Sequence, residues 1–156
     1  MKVLVAFCCM VSLLLGCNIE TSNKTAEPLP EIMGVRLGAS KEEALPQLQK
    51  IATLDKQERK QQEVWILTGD QPYSHLIISY DKEYTSMRFI NALAKEKRVR
   101  YKDVMDINTA KLTTSGPNYT YELEVPEKNN QPAYVVKAIG TDPEYLQYYA
   151  IEKKGN

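Results

Sequence analysis

The sequence predicts an α+β domain in which an N-terminal helix packs on an antiparallel sheet of about six strands. Two observations support this prediction. A helix cap near residue 40 is followed by apolar residues at helical spacing, and six later segments are rich in β-branched and aromatic residues. Short turns separate most of these segments, which favours antiparallel pairing. We therefore expect a single α+β globular domain over residues 31–153.

The first 16 residues have the features of a signal peptide. Lys2 precedes an uncharged apolar run at residues 3–15, which is shorter than the roughly 20 residues that a membrane-spanning helix needs. Gly16 supplies a small residue before the expected cleavage point, and Cys17 follows it. This arrangement resembles the bacterial lipoprotein signal, in which the thiol is acylated. The alternatives are an ordinary secretory leader and a retained membrane helix.

Acylation of Cys17 would attach the mature protein stably to a membrane, because each buried methylene contributes about 0.8 kcal/mol. Asn18, by resemblance to lipoproteins of bacteria with two membranes, implies sorting to the outer membrane with the domain facing the periplasm. Residues 17–30 are polar and carry two prolines, so we expect a flexible tether there.

The composition of the mature chain excludes several classes of function. Removal of residues 1–16 leaves 19 basic and 20 acidic side chains, which gives no broad electrostatic field for nucleic acid. It also removes Cys8 and Cys9, so that Cys17 is the only thiol and no disulfide or Cys-based metal site forms within one chain.

The helix is expected to begin at a capping box formed by Ser40 and Glu43. An apolar stripe follows, made of Ala44, Leu45, Leu48 and Ile51. Pro46 falls in the second turn and removes a backbone donor, so we expect a kink or a short first segment. Residues 52–62 are charged and amide-rich and predict a connection.

Six strands and a second helix are expected beyond this point. The first three strands are predicted at Glu63–Thr68, His75–Asp81 and Thr85–Ala94, and the last three at Tyr119–Val125, Tyr134–Ile139 and Tyr145–Glu152. Val104, Ile107 and Ala110 lie at helical spacing and predict a short helix over Lys102–Lys111. The order is compatible with a duplicated α-βββ unit.

The segment Gly34–Ala44 resembles the opening of the BamE (SmpA, OmlA) family of small outer-membrane lipoprotein domains, with a short strand, a glycine and a capped helix. The helix and meander also resemble the related β-lactamase-inhibitor-like fold, which occurs in tandem. The resemblance implies an α+β fold and a non-catalytic role in envelope assembly or inhibition. Cys17 is the one functional residue that it transfers.

No catalytic or metal-binding set is evident. His75 is the only histidine, which excludes a His-based metal cluster and the Ser-His-Asp and Cys-His arrangements. Asp81 and Glu83 fall in a turn, where solvated carboxylates are expected. We expect no enzymatic activity and no cofactor.

Two features are candidate binding sites. Five cations within eight residues form a possible patch for an anionic partner, or a solvated turn: Lys95, Lys97, Arg98, Arg100 and Lys102. Tyr145, Tyr148 and Tyr149 suggest an aromatic platform with Trp65, although adjacent strand residues point to opposite faces and tyrosines of this kind usually pack in sheets.

The sequence therefore predicts a lipid-anchored envelope lipoprotein that acts as a non-catalytic protein-binding module, with outer-membrane assembly as one role. Its partners would be the membrane, through acylated Cys17, and another envelope protein. The alternative is a periplasmic ligand-binding or enzyme-inhibitor module that uses a tyrosine-rich sheet face.

Overall fold

A computed structural model describes residues 30–59, 61–128 and 131–155. It has a two-layer α+β fold, in which helices and a hairpin cover one face of an eight-stranded antiparallel sheet. The hairpin pairs β1 (Glu31–Ile32) with β2 (Val35–Arg36), and the helices are α1 (Lys41–Ile51) and α2 (Tyr101–Val104). The sheet strands are β3 (Ala52–Arg59), β4 (Gln62–Leu67), β5 (Tyr73–Tyr80), β6 (Met87–Ala94), β7 (Lys111–Ser115), β8 (Asn118–Val125), β9 (Tyr134–Gly140) and β10 (Tyr148–Lys153).

The strand order is symmetric. It runs β3-β4-β5-β6-β10-β9-β8-β7, so that two four-stranded meanders meet at the antiparallel pair of β6 and β10. Each meander follows one of the two helices that the structure describes. The last strand of each meander is therefore central in the sheet, and the first strand of each lies at an edge.

The core lies between the sheet and its covering layer. Alternate residues of the central strands point to this covered face, where Ile78, Ile90, Ile151 and Val136 oppose one another across four adjacent strands and are fully buried. The covering side chains come from the hairpin and the residues after it, from α1, from the segment around α2 and from the turn before β10. They are Ile32, Val35, Leu37, Ala44, Leu48, Tyr101, Met105 and Leu146.

The predicted cap of the first helix is present. The Ser40 hydroxyl accepts a hydrogen bond from the Glu43 amide at 3.2 Å, and the Glu43 carboxylate accepts one from the Ser40 amide at 2.9 Å. Helix α1 continues through Pro46, so of the two expected alternatives the short first segment is wrong, and the kink stays a prediction. Pro46 lies on the exposed side of the helix, where its ring displaces no core residue.

The prediction of about six strands is wrong because it omits both edges of the sheet. Residues 52–62 were expected to form a connection, yet β3 occupies most of them, and β7 lies where the second helix was expected to end. Both strands carry mainly polar or charged residues, since an edge strand has only one neighbour and little apolar surface to bury. Each half of the described chain therefore contributes four strands to the eight-stranded sheet, where three were expected.

The second helix is shorter than predicted. Helix α2 spans only Tyr101–Val104, because the Asp106 carboxylate accepts from the Asn108 amide at 3.0 Å and turns the chain there. The last strand also starts later than expected. Tyr145 belongs to a turn in which the Asp142 carboxylate accepts hydrogen bonds from the amides of Glu144 and Tyr145, at 2.8 and 3.0 Å.

The leader, Cys17, Asn18 and residues 19–29 of the expected tether lie outside the described residues. Pro30, at the end of the predicted tether, is buried, and its carbonyl accepts a hydrogen bond from the Leu37 amide at 2.6 Å. The folded domain therefore includes Pro30, one residue before the predicted boundary at residue 31. In the described part of the chain, no helix has the length and apolar character needed to cross a membrane.

Candidate interaction surface

A row of four apolar residues and one histidine lies on the second face of the sheet, opposite to the face that the helices and the hairpin cover. The strand registers place Ile66, His75, Leu93, Tyr148 and Ile139 side by side on β4, β5, β6, β10 and β9. These five residues are here called the open-face stripe. Their order follows directly from the pairing, because residues that oppose one another in antiparallel strands point to the same face.

The open-face stripe is accessible to another molecule. Ile66 and Tyr148 are 41% and 42% exposed, and the other three side chains are half-buried by their neighbours in the sheet. Adjacent strands lie about 4.8 Å apart, so the stripe is about 19 Å long. A contiguous apolar surface on the uncovered face of a sheet is typical of an interaction site.

Charged residues border the stripe on the same face. One row further along the strands, the Lys137 ammonium lies 3.6 Å from the Glu122 carboxylate and 3.8 Å from that of Glu152. These three side chains are each at least one third exposed. An apolar centre with a polar rim is the usual composition of a protein–protein interface.

His75 lies within the stripe. Its position on a strand face agrees with the prediction from the sequence. Its Nδ1 is 3.0 Å from the Ser74 hydroxyl oxygen, and its ring is half-buried. Among the described residues, no group of three or more histidine, cysteine, aspartate or glutamate side chains is arranged to hold a metal ion.

Asp81 organises the turn between β5 and β6. Its carboxylate accepts hydrogen bonds from the Thr85 amide at 2.8 Å and the Thr85 hydroxyl at 2.7 Å. The bond from the Thr85 hydroxyl is the main reason that the pKa of Asp81 lies below its usual value. Glu83 is exposed in the same turn. The structure therefore assigns Asp81 a local role in shaping this turn.

Two of the five predicted cations lie in ion pairs with carboxylates of other turns. Arg98 forms an ion pair with Asp70 at 2.6 Å, and Arg100 forms one with Glu144 at 3.2 Å while lying 5.7 Å from the centre of the Tyr145 ring. Lys95 is half-buried, whereas Lys97 and Lys102 are exposed. The groove of about 320 Å³ beside Lys97 is also lined by Glu96 and Asp142, so its charge is mixed.

The tyrosines lie mainly in the core. Tyr148 is the one exposed ring of the ten, whereas Tyr149 points to the covered face, on the same side as Trp65. The expected platform of Tyr145, Tyr148, Tyr149 and Trp65 is therefore split between the two faces. Burial raises the pKa of Tyr73 and of Tyr101 to about 12.

A buried carboxylate that the sequence analysis did not single out lies beneath the start of α1. Glu63 is 1% exposed, forms an ion pair with Lys41, and accepts a hydrogen bond from the Trp65 indole at 3.1 Å. Lys41 also lies 5.0 Å from the centre of the Tyr84 ring. The alternation of Glu63 with Trp65 and Leu67 along β4 is the sequence signal that would have placed Glu63 on the apolar face.

Tyr80 lies near the Glu63 carboxylate. Its hydroxyl is buried without a hydrogen-bond partner in the described structure, and burial followed by the nearby Glu63 charge raises the pKa of the phenol. These contacts join α1 to the sheet. We assign Glu63 a structural role, because Lys41 and Trp65 already occupy its carboxylate oxygens.

Comparisons with known proteins do not assign the chain to a family: no protein-family model, no curated protein and no solved structure matches it. The resemblance of Gly34–Ala44 to the opening of the BamE family accordingly stays a prediction.

Proposed function

We propose that the chain is an acylated envelope lipoprotein whose domain binds another protein through the open-face stripe. The observation that carries the binding proposal is the row formed by Ile66, His75, Leu93, Tyr148 and Ile139 on an uncovered sheet face. The membrane location rests on the sequence alone, through the apolar run before Cys17.

A protein partner fits this surface better than a small molecule. The stripe is about 19 Å long and crosses five strands, which matches a protein or peptide contact, whereas ligand pockets enclose most of their ligand. Tyr148, next to Leu93 at the centre of the stripe, is 42% exposed and supplies a large amphipathic ring of the type that is enriched at protein interfaces. A tyrosine-lined ligand platform is less well supported, because Tyr148 alone is exposed.

The symmetric strand order supports a second part of the proposal, namely that the chain consists of two related helix-and-meander units. The two units share one sheet, and β6 and β10 occupy equivalent positions as the last strand of each. A tandem arrangement of this kind is what the resemblance to the β-lactamase-inhibitor-like fold implies. The stripe crosses the junction between the units, so both contribute to the proposed surface.

A photo-cross-linking amino acid at position 148, in the full-length chain expressed in its own bacterium, tests the binding proposal. We expect a discrete protein adduct that disappears when Leu93→Asp is added in the same chain. The same label at Lys82, which is exposed in the turn between β5 and β6, is the matched control and should give no such adduct. Equal adducts at both positions would refute a specific surface.

Metabolic labelling with palmitate tests the anchor separately. We expect label on the wild-type chain and none on the Cys17→Ser variant, which should also leave the membrane fraction. An unlabelled wild-type chain, or an intact leader at its amino end, would remove the membrane half of the proposal and leave the binding half unaffected.

A further inference from the structure

The two edges of the sheet differ in how they are protected from pairing with other chains. Edge strand β3 has register irregularities between Leu54 and Lys56 and between Gln57 and Arg59, and four of its eight residues are charged. Irregular pairing and charge are the common means by which an edge strand avoids pairing with another molecule. Strand β3 therefore has the features of a closed edge.

Edge strand β7 is less protected, because its pairing is regular and it carries a single charge. All five of its residues pair with β8 in an uninterrupted register, and Lys111 is its only charged residue. All five are exposed, and Leu112 is 47% exposed. In the described part of the chain β8 is the only strand that pairs with β7, so that the outer backbone N–H and C=O groups of β7 face outward.

We propose that β7 pairs with β7 of a second copy of this chain, in an antiparallel arrangement around a two-fold axis at Thr113. An extended strand is the group that satisfies a row of edge N–H and C=O groups. A second copy is the occupant that the sequence of β7 favours, because Lys111-Leu-Thr-Thr-Ser115 is complementary to itself in this register.

The register follows from the length and charge of the strand. An axis at Thr113 pairs all five residues: Thr113 opposes itself, Leu112 opposes Thr114, and Lys111 opposes Ser115. No like charges face each other, and cross-strand pairs of threonines are favourable. A two-fold contact of this kind closes on itself, so it yields a dimer and no fibre.

The pairing joins two sheets into one of sixteen strands, since each copy contributes eight. It also makes the open faces of the two copies continuous, because Thr113 opposes Thr120 on the same face as Ile139. Five residue pairs bury less than the roughly 1,200 Å² of a standard interface. We therefore expect a weak dimer whose population rises with protein concentration.

Disulfide trapping in the full-length chain tests the proposal. Opposed residues in an antiparallel pair have Cα atoms about 4.5–5.5 Å apart, which is within the range that a disulfide spans. Thr113→Cys should shift most of the chain to dimer mass under mild oxidation. Thr53→Cys is the matched control, because Thr53 is an exposed open-face threonine on β3, and it should form no disulfide-linked dimer, as is also expected of the wild-type chain.

A second experiment tests the interface without oxidation. Thr113→Lys places two positive charges opposite each other and should abolish the concentration-dependent increase in sedimentation coefficient, whereas Thr53→Lys should retain it. Equal trapping of Thr113→Cys and Thr53→Cys would overturn the proposal. So would an intramolecular bond from position 113 to a native cysteine, or a mixed disulfide with another protein, since each identifies a different occupant of the edge.

Discussion

At the scale of single residues, the most consequential feature is the carboxylate of Glu63 beneath α1. A buried charge is tolerated only when it is paired and hydrogen-bonded, and Lys41 and Trp65 provide both conditions. Lys41 keeps 37% of its side chain exposed, so the ion pair is only partly shielded from water. The pair of Lys41 and Glu63 fixes the first turn of α1 against β4.

Replacement Lys41→Met should destabilise the protein by about 1–3 kcal/mol, because it leaves the Glu63 charge without its cation. The lower part of this range is expected, since the exposed end of Lys41 is screened by solvent. Urea denaturation followed by Trp65 fluorescence measures the change. Adding Glu63→Gln to Lys41→Met should recover part of the lost stability. A Lys41→Met variant as stable as the parent would contradict the proposed role of the ion pair.

The buried tyrosines should make the folded state less stable at high pH. Burial raises the pKa of Tyr73 and Tyr101 from 10.0 to about 12 and raises that of Tyr149 further, because a phenolate is poorly solvated in the core. The neutral phenols favour the folded state. Their contribution is therefore complete below pH 10.0 and is lost as the pH rises towards 12.

Parallel titrations of tyrosinate absorbance and circular dichroism measure this effect. We expect the core tyrosines to ionise together with the loss of β-structure above pH 10.0. Ionisation of all ten tyrosines near pH 10.0 with the sheet intact would show that the rings are not protected.

At the scale of elements, α1 is stabilised at its start by local hydrogen bonds and along its length by packing. Ser40 and Glu43 satisfy each other's amides, while Ala44 and Leu48 are buried against the sheet. Pro46 removes one backbone hydrogen bond from the second turn. The cap therefore matters more here than in a helix with a complete set of bonds.

Replacement Ser40→Ala should lower the free energy of unfolding by about 1 kcal/mol, the usual effect of removing a helix N-cap. Ser40→Asp keeps a side-chain acceptor for the Glu43 amide and should stay close to the parent. Chemical denaturation of the three proteins side by side provides the measurement. An alanine variant that matches the aspartate variant would indicate that packing alone fixes the helix start.

At the scale of the whole molecule, the pairing of β6 with β10 makes two meanders into one sheet. Ile90 of the first meander opposes Ile151 of the second, and Ala92 opposes Tyr149. All four lie in the core, and none is more than 6% exposed. Because a continuous core crosses the junction, we expect the two halves to unfold as one cooperative unit.

Ile151→Ala tests this cooperativity. Truncation of a fully buried isoleucine should cost about 2–5 kcal/mol. Ile151 lies in the second half, whereas the only tryptophan, Trp65, lies in the first. Trp65 fluorescence and circular dichroism should therefore shift by the same amount in denaturant.

Leu112→Ala is the control for this experiment, because Leu112 is 47% exposed on the edge strand β7 and its truncation should change stability by less than about 0.5 kcal/mol. If the Trp65 transition of Ile151→Ala stayed at the parent position while the circular dichroism transition moved, the halves would unfold independently.

Local sequence patterns predicted the central elements of this protein and failed at its edges. The cap at Ser40 and the alternation in β5 and β9 are properties of a few adjacent residues, so periodicity reveals them. Strands β3 and β7 lack alternating apolar residues, because only one neighbouring strand stabilises each. The distribution of charges showed five nearby cations, but it could not show that Asp70 and Glu144 pair with two of them from distant turns.

The sequence by itself determined the α+β class, the capped first helix and the central strands, since each depends on residues close together in the chain; the acylation signal at Cys17 stays a prediction. Only the tertiary structure decided which faces are covered. The open-face stripe takes one residue from each of five strands, and its existence depends on their register across the β6–β10 junction. The junction pairs residues far apart in the chain, and the periodicity within one strand shows which of its residues share a face but does not show which strand lies beside it.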